Sequence, residues 1–235
     1  MHNPKNRSTR ERRQEALASL LPVTVTRIVP QKNDPDRFSL FHEESFLMGI
    51  SRRSLEHHNL NEGTVLTAGL CRQIEESEEV AFAKSKAYEL LARRDHASGE
   101  LRTKLAQRGI TADTIREVLH DLEETDLIND RTFALSFARE KLESAKWGPK
   151  KILASLRKKG ISRTDAEAAL KEIENPSQMA DFCVDLIRKR KRTFLREDDP
   201  FKRKQKIYRY LAGKGYAPAI IQRALDTVAN ELHVS

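Results

Sequence analysis

The chain has 235 residues and a formal net charge of +8; 38% of its residues are hydrophobic, 33% charged and 6% aromatic. This composition suits helices that face solvent on one side, and it argues against the deep core and large closed pocket of a typical enzyme. We expect neither a signal peptide nor a membrane-spanning segment, and we therefore expect a cytoplasmic location.

The positive charge is concentrated in two segments. Residues 186–206 contain ten Lys or Arg and three acidic residues, a net +7, and residues 1–13 carry +4, so the rest of the chain carries −3. Basic segments on a slightly acidic body fit a polyanionic partner, because Lys and Arg displace counterions from phosphates. A charge run that is merely solvated is the alternative, and composition alone leaves both open.

Two cysteines, Cys71 and Cys183, lie far apart, and the sequence has no CxxC pair. The spacing predicts neither a disulfide framework nor a thiolate metal site, and nothing indicates a cofactor. We expect both thiols to be small core residues.

The first part of the chain predicts a basic flexible arm over residues 1–20 and a small β-rich module over residues 21–76. Residues 23–29 alternate and are β-branched, and a turn at residues 30–36 should pair them with residues 38–41 as a hairpin. Residues 46–50 predict a third strand. Ser51 should cap a short helix that ends at His58, and residues 64–66 follow as an extended segment.

A 22-residue phrase occurs three times, beginning at Leu101, Ile152 and Ile207, with spacings of 51 and 55 residues. Repetition at such a period predicts a stacked array in which each unit buries its apolar face against its neighbours. The fold predicted is therefore mainly α, with three tandem three-helix repeats after the β-rich segment. We place the repeats at residues 77–129, 130–175 and 176–235.

Within each phrase, a pair of apolar residues four positions apart should face inward, and the helix should stop at Gly109, Gly160 or Gly215. A third helix then restarts, with Thr111 and Ser162 as N-cap candidates and Pro218 in the first turn. The helix that opens the first repeat is predicted over residues 78–93. Asp130 is predicted to be the N-cap of its counterpart in the second repeat.

The third repeat is four residues longer than a spacing of 51 predicts, and this extra length, which precedes its copy of the phrase, is filled with cations. Binding explains a basic insertion better than packing does. Phe194 and Phe201 could stack on bases there or could belong to the core. The candidate polyanion contacts are Arg188, Lys189, Arg190, Lys191, Arg192, Lys202, Arg203, Lys204 and Lys206, with Lys150, Lys151, Lys158 and Lys159 as secondary contacts.

Arg108, Lys159 and Lys214 each precede a helix-terminating glycine. They could form a periodic row of phosphate contacts, although a cation there also offsets the helix dipole, which is the interpretation we favour. Trp147 is expected to pack, since a turn into a helix beginning at Pro149 follows it. The sequence has no HExxH, no GxSxG and no clustered Cys/His set, so we expect no enzyme.

Four segments together resemble the RecX family of recombination regulators: residues 87–94 (AYELLARR), 98–105 (SGELRTKL), 127–134 (LINDRTFA) and 147–152 (WGPKKI). The resemblance covers about residues 22 to 230. It implies a curved, elongated array of three-helix repeats that binds the RecA filament in its helical groove. It further implies suppression of RecA's ATP hydrolysis, strand exchange and coprotease activity, and binding to single- and double-stranded DNA. We expect a monomer that does not bind membranes.

Two other functions remain open at this point. A stand-alone DNA reader is one, because the second and third helices joined by a glycine turn have the outline of a helix-turn-helix. The would-be recognition helices are alanine-rich and acidic, however, and few of their residues suit base edges. A purely structural helical scaffold is the other, and it predicts no salt-dependent affinity for nucleic acid.

Overall fold

The computed structural model describes residues 17–232. Within this range the chain is mainly α-helical, with a small β segment at the N-terminal end, as the sequence predicts. It divides into two compact units, one of residues 17–88 with 109–118 and one of residues 89–108 with 119–232. Most of the predicted basic arm lies outside the described residues. Its last four residues, 17–20, are helical, and Leu17 is buried in the core of the first unit.

Five strands form two small antiparallel sheets. Strands β2 (Arg27–Gln31), β3 (Asp34–His42) and β4 (Ser45–Ser51) form a meander, and β1 (Val23–Thr24) pairs with β5 (Val65–Leu66). The predicted hairpin and third strand are therefore present. The prediction of one continuous strand over residues 23–29 was wrong, because Val25 donates its N–H to Thr64 and Thr26 donates to Phe41, which directs the two halves to different sheets.

The short helix α1 (Arg52–His57) begins at the predicted cap. Ser51 Oγ accepts a hydrogen bond from the Ser54 N–H, which satisfies one of the open donors at the helix start. Glu78 reinforces this end, since its carboxylate accepts from the Ser51 N–H at 2.8 Å and from the Ser54 hydroxyl at 2.6 Å.

Cys71 and Cys183 are both buried, as expected for small core residues.

The first long helix, α2 (Ala68–Leu91), starts ten residues before its predicted start at residue 78. Thr67 caps it, with Oγ1 accepting from the Leu70 N–H at 3.2 Å. The error arose because Gly69 and the polar residues that follow conceal an otherwise ordinary start signal. The helix also crosses the predicted domain boundary between residues 76 and 77.

The remaining helices follow the repeated phrase. Their bounds are α3 Ser98–Ala106, α4 Ala112–Glu124, α5 Asp130–Glu143, α6 Pro149–Lys158, α7 Arg163–Glu172, α8 Pro176–Lys189, α9 Lys191–Phe194, α10 Pro200–Lys214 and α11 Pro218–Leu232. The predicted inward pairs are all fully buried, namely Leu101 and Leu105, Ile152 and Leu156, and Ile207 and Leu211. The apolar residues that recur within the phrase are thus the residues that form the buried core.

The three phrase glycines adopt the left-handed conformation that the sequence predicts. Their φ angles are +77° at Gly109, +84° at Gly160 and +96° at Gly215. A residue with a Cβ has a steric cost in this region, which is why a glycine follows the end of each of these helices. Ser162 caps α7 as predicted, through a bond from the Asp165 N–H, and Pro149 and Pro218 open α6 and α11.

The prediction of Asp130 as an N-cap was wrong. Asn129 caps α5 by accepting from the Thr132 N–H at 3.0 Å, and Asp130 is the first helical residue. The Asp130 carboxylate instead accepts from the N–H and the hydroxyl of Ser98, at 2.8 and 2.7 Å. It thereby satisfies open donors at the start of α3, in the preceding repeat.

One continuous apolar core runs through the second unit. In it α5 packs against α6 and α7, α8 packs against α11, and α11 also contacts α10. Met179, Cys183 and Ile187 of α8 lie in this core together with Ile221 and Val228 of α11. The buried helices therefore hold the charged ends of α8 and α10 in place.

Consecutive repeats meet at two glycine contacts. At the first junction, between repeats one and two, a Cβ added to Gly99 would lie 2.6 Å from the Gly160 Cα. At the second junction, between repeats two and three, the Gly148 N–H donates to the Lys214 carbonyl at 2.8 Å. A Cβ added to Gly148 would lie 2.4 Å from the Gly215 carbonyl carbon. Glycine is required at both junctions because the backbones touch.

Candidate nucleic-acid interface

The basic segment of the third repeat, residues 188–206, is largely helical and not an extended insertion. Its first residues end α8, α9 follows as a single turn, and α10 begins at Pro200. Asp199 caps α10 by accepting from the N–H groups of Phe201 and Lys202. Helix geometry therefore fixes the directions of most of the predicted cationic contacts.

Most of the predicted cations in this segment reach the surface. Exposed members are Arg188, Lys189, Arg190, Arg192, Lys202 and Lys206, and half-buried members are Lys191 and Lys204. Arg190 lies over the Tyr210 ring, 4.5 Å from its centroid, which orients the guanidinium without neutralising it.

Acidic residues partly neutralise this segment. Arg188 donates to Glu231 through Nη2 at 2.6 Å, and Lys191 lies 4.0 Å from the same carboxylate. The hydrogen bond from Arg188 lowers the pKa of Glu231. Lys206 lies 3.9 Å from Glu197. Among the predicted contacts of this segment, Lys189, Arg190, Arg192 and Lys202 are thus best placed to meet an outside anion.

Arg203 does not belong to this surface, although the sequence placed it there. Its side chain is buried, at 7% exposure, and its guanidinium donates to backbone carbonyls of Glu197, Asp198 and Leu232. A buried cation is stable only where its donors are satisfied in this way. Arg203 joins the turn before α10 to the end of α11, which is a structural role.

The two aromatic residues of the segment have different environments. Phe194 is buried, and its ring centroid lies 5.9 Å from that of Tyr210, so it belongs to the core. Phe201 is 68% exposed. Of the two, only Phe201 presents a ring that an unstacked base could reach.

The four secondary cations of the second repeat also differ. Lys150 and Lys158 are exposed, whereas Lys151 is half-buried, with Nζ 4.5 Å from the Trp147 ring centroid. Lys159 donates to Glu100 Oε1 at 2.9 Å and is only 24% exposed. Lys159 is therefore engaged in the first junction, where its charge is balanced.

A row of alternating rings and ammonium groups along the second repeat was not predicted from the sequence. Phe133 and Phe137 stack with centroids 6.1 Å apart, and Lys159 lies over both rings. Lys141 lies over Phe137 at 5.4 Å and over Trp147 at 5.9 Å. Spacing of four residues between Phe133, Phe137 and Lys141 was the signal that could have revealed it.

Part of this row borders an open recess of about 600 Å³. Its lining residues are Arg94, Asp95, Phe133, Ser136, Phe137, Glu140, Lys141 and Lys159. Trp147 lies against the core, as the sequence predicted, and its exposed face meets Lys151.

Within residues 17–232, no group of three or more His, Cys, Asp or Glu side chains could hold a metal ion. No helix of the described chain has the length and apolar character needed to span a bilayer.

Three family models match the chain in the order of the repeats. They are the first, second and third three-helix domains of RecX, which match residues 83–122, 129–170 and 183–225. Together the matched residues make up more than half of the chain.

Relatives named regulatory protein RecX match along most of their length. The protein of Listeria monocytogenes serotype 4b (strain CLIP80459) is 26% identical over 213 residues, covering 91% of this chain and 78% of the relative. That of Halalkalibacterium halodurans is 29% identical over 208 residues, covering 87% and 77%. That of Clostridioides difficile (strain 630) is 26% identical over 206 residues, covering 88% and 96%.

Two crystal structures have similar folds. A regulatory protein RecX superposes with a TM-score of 0.69 at 23% identity, covering 86% of this chain and 98% of the other. RecX from Lactobacillus salivarius superposes with a TM-score of 0.58 at 28% identity, covering 68% and 99%. With all three family domains present in sequence order, the chain belongs to the RecX family.

Proposed function

We propose that this chain is a non-enzymatic inhibitor of RecA, which binds the RecA–DNA filament in its helical groove. In this role it suppresses the filament's ATP hydrolysis, strand exchange and coprotease activity. The observation that carries the proposal is the ordered set of three RecX domains. The proposed setting is the cytoplasm, with the protein acting as a monomer.

The proposal includes contact with single- and double-stranded DNA through exposed cations. The main contacts are Lys189, Arg190, Arg192, Lys202, Lys204 and Lys206, assisted by Arg188 and Lys191, with Lys150, Lys151 and Lys158 as secondary contacts. The exposure of most of these residues, and the concentration of the main contacts on α8 to α10, support this choice. Arg203 and Lys159 are left out, because the first is buried and the second is paired with Glu100.

The inhibitory function is tested by titrating the protein into a DNA-stimulated RecA ATPase assay. We expect ATP hydrolysis to fall as the protein approaches stoichiometry with RecA. An unchanged rate at a stoichiometric ratio would show that the protein does not inhibit RecA.

The DNA contact is tested by substituting Lys189, Arg190, Arg192, Lys202 and Lys206 by Gln together. Each phosphate contact that is lost should make the slope of log K against log[salt] shallower by about 0.7 to 0.9. A matched control carries Gln at five exposed cations elsewhere, namely Lys32, Arg72, Arg102, Arg131 and Lys171. Equal affinities of the two variants for DNA, at several salt concentrations, would contradict the assignment.

The same binding assay separates this function from sequence-specific DNA reading. We expect oligonucleotides of unrelated sequence to bind with similar affinities, because phosphate contacts carry no sequence information. Enrichment of one sequence after repeated selection would instead favour a helix-turn-helix reader.

A further inference from the structure

The two junctions between repeats use the same kind of backbone contact but differ in charge. At the first junction, Lys159 precedes Gly160 and donates to Glu100, which is the third residue of α3. Arg94 also donates to Glu100, with Nη2 3.1 Å from Oε1. The carboxylate thus lies between two cations and offsets the charge of one of them.

The second junction has lysine in both corresponding positions. A spacing of 51 residues relates Glu100 to Lys151, and a spacing of 55 residues relates Lys159 to Lys214. Lys151 is likewise the third residue of its helix, α6. The pair of opposite charges at the first junction is therefore replaced by a pair of like charges at the second.

These two lysines are held close together by the glycine contact. A Cβ added to Gly215 would lie 2.5 Å from the Lys151 nitrogen and 2.6 Å from the Lys151 Cβ, and Lys214 immediately precedes Gly215. Lys214 Nζ lies 3.5 Å from the Ala145 carbonyl oxygen, at the limit of a hydrogen bond. The two ammonium groups therefore share one corner of the molecule.

Further cations lie near this corner. Burial lowers the pKa of Lys214, and the positive charges of Lys151, Arg190 and Lys189 lower it further. The rings of Trp147 and Tyr210 lie 4.5 Å from Lys151 Nζ and from the Arg190 guanidinium, respectively. Cation–π contacts of this kind offset part of the repulsion, but they leave the net charge in place.

From this charge reversal we infer that the second junction is a binding site for a backbone phosphate of nucleic acid. Lys151 and Lys214 would contact its oxygens, which would take the place that the Glu100 carboxylate has at the first junction. Arg190 and Lys189 would add charge from the end of α8. The inference rests on the proposed function. It makes Lys214 a phosphate contact, whereas the sequence favoured a role for Lys214 in offsetting the helix dipole.

Nucleic acid fits this corner because the positive surface continues beyond it. Lys150 is exposed next to Lys151, and Arg192 is exposed two residues after Arg190. A polymer with one negative charge per nucleotide can use such a row of cations, whereas a single small anion can use only one site.

The test is Lys151→Glu, which recreates at the second junction the charge arrangement of Glu100 and Lys159. We expect the variant to be at least as resistant to urea as the wild type, since a like-charge pair becomes an ion pair. We expect its affinity for a fluorescein-labelled single-stranded DNA oligonucleotide to fall by about tenfold or more at low salt. Fluorescence anisotropy at several salt concentrations measures both the affinity and its salt slope.

The matched control is Lys171→Glu, which makes the same change in net charge at an exposed position on α7. We expect it to lower the affinity by less than about threefold, through the general field alone. Lys214→Gln removes one of the two contacts without adding a negative charge. It should weaken binding by an intermediate factor, which provides a second measurement if Lys151→Glu fails to fold.

The outcomes separate this inference from the proposed function. Normal RecA inhibition and DNA binding by the wild type, with Lys151→Glu and Lys214→Gln both equal to the control in DNA affinity, would refute the phosphate site alone. Loss of RecA inhibition by Lys151→Glu with unchanged DNA affinity would mean that an acidic protein surface occupies the corner, which also overturns the inference. A wild type that binds no oligonucleotide would refute the proposed DNA contact and this site together.

Discussion

Gly99 and Gly160 touch through their backbones, although 61 positions of sequence separate them. A Cβ on Gly99 would lie 2.5 Å from the Lys159 carbonyl oxygen and 2.6 Å from the Gly160 Cα. Gly160 also has a φ of +84°, so it ends α6 and at the same time provides the surface on which the start of α3 rests. Two requirements, one for conformation and one for space, therefore meet at one residue.

Gly99→Ala is expected to destabilise the protein by about 1 to 3 kcal/mol, because backbone atoms cannot move aside as a flexible side chain can. Urea unfolding followed by circular dichroism measures this change in free energy. Gly213→Ala is the control, since no atom lies within 4 Å of the added Cβ in the last turns of α10. It should stabilise the protein by about 0.5 to 1 kcal/mol. Similar stabilities for the two variants would show that the junction is loosely packed.

Gly109→Ala and Gly160→Ala separate the two requirements on the phrase glycines. Both residues have positive φ, but the added Cβ would meet no atom within 4 Å at Gly109, whereas it would lie 2.6 Å from the Gly99 Cα at Gly160. We expect a loss of about 1 to 2 kcal/mol at Gly109 from the backbone conformation alone. The loss at Gly160 should be clearly larger. Equal losses in the same urea experiment would mean that conformation alone accounts for both glycines.

The ion pair at the first junction predicts a specific pH dependence. Burial by itself would raise the pKa of Glu100, but hydrogen bonds from Arg94 and Lys159 outweigh it and lower the pKa from 4.5 to about 2. A carboxyl with a lowered pKa stabilises the fold above its ordinary pKa, and this contribution disappears as the pH falls toward the folded-state pKa. The stabilisation from Glu100 should therefore be complete above about pH 5 and lost near pH 2.

Glu100→Gln tests this prediction. The variant should be about 2 kcal/mol less stable than the wild type at neutral pH, a figure that allows for the remaining solvent exposure of the site. The difference should shrink steadily as the urea midpoint is measured at lower pH. If the difference in stability stayed constant down to about pH 2, the negative charge of Glu100 would not be its cause.

Much of this fold could be predicted because its determinants are local. The repeated phrase contains its own apolar period and its own stop signals, so the sequence by itself assigns Leu105 to the core and Gly215 to a helix end. Pro149 and Pro218 marked helix starts for the same reason. Each of these signals acts over a few neighbouring residues.

The junctions could not be predicted, because their partners are distant in sequence. Lys159 pairs with a carboxylate 59 residues away, and nothing near Lys159 distinguishes it from the exposed Lys158. Arg203 likewise appears in the sequence as one cation within a run of cations. Its burial depends on where the end of α11 lies, since Leu232 supplies one of its acceptors.

Arg203 and Lys202 are adjacent in sequence and should respond in opposite ways to substitution. Arg203→Gln leaves backbone carbonyls of Glu197 and Leu232 without their charged donor, so we expect a loss of about 2 to 4 kcal/mol in the free energy of unfolding. The DNA affinity of the folded fraction should not change. Lys202→Gln should leave stability within about 0.5 kcal/mol of the wild type, because this side chain is exposed, and should weaken DNA binding. Anisotropy titrations below the unfolding transition, paired with urea curves, measure both quantities. If Arg203→Gln retained full stability and lost DNA affinity, Arg203 would be a DNA contact and not a structural residue.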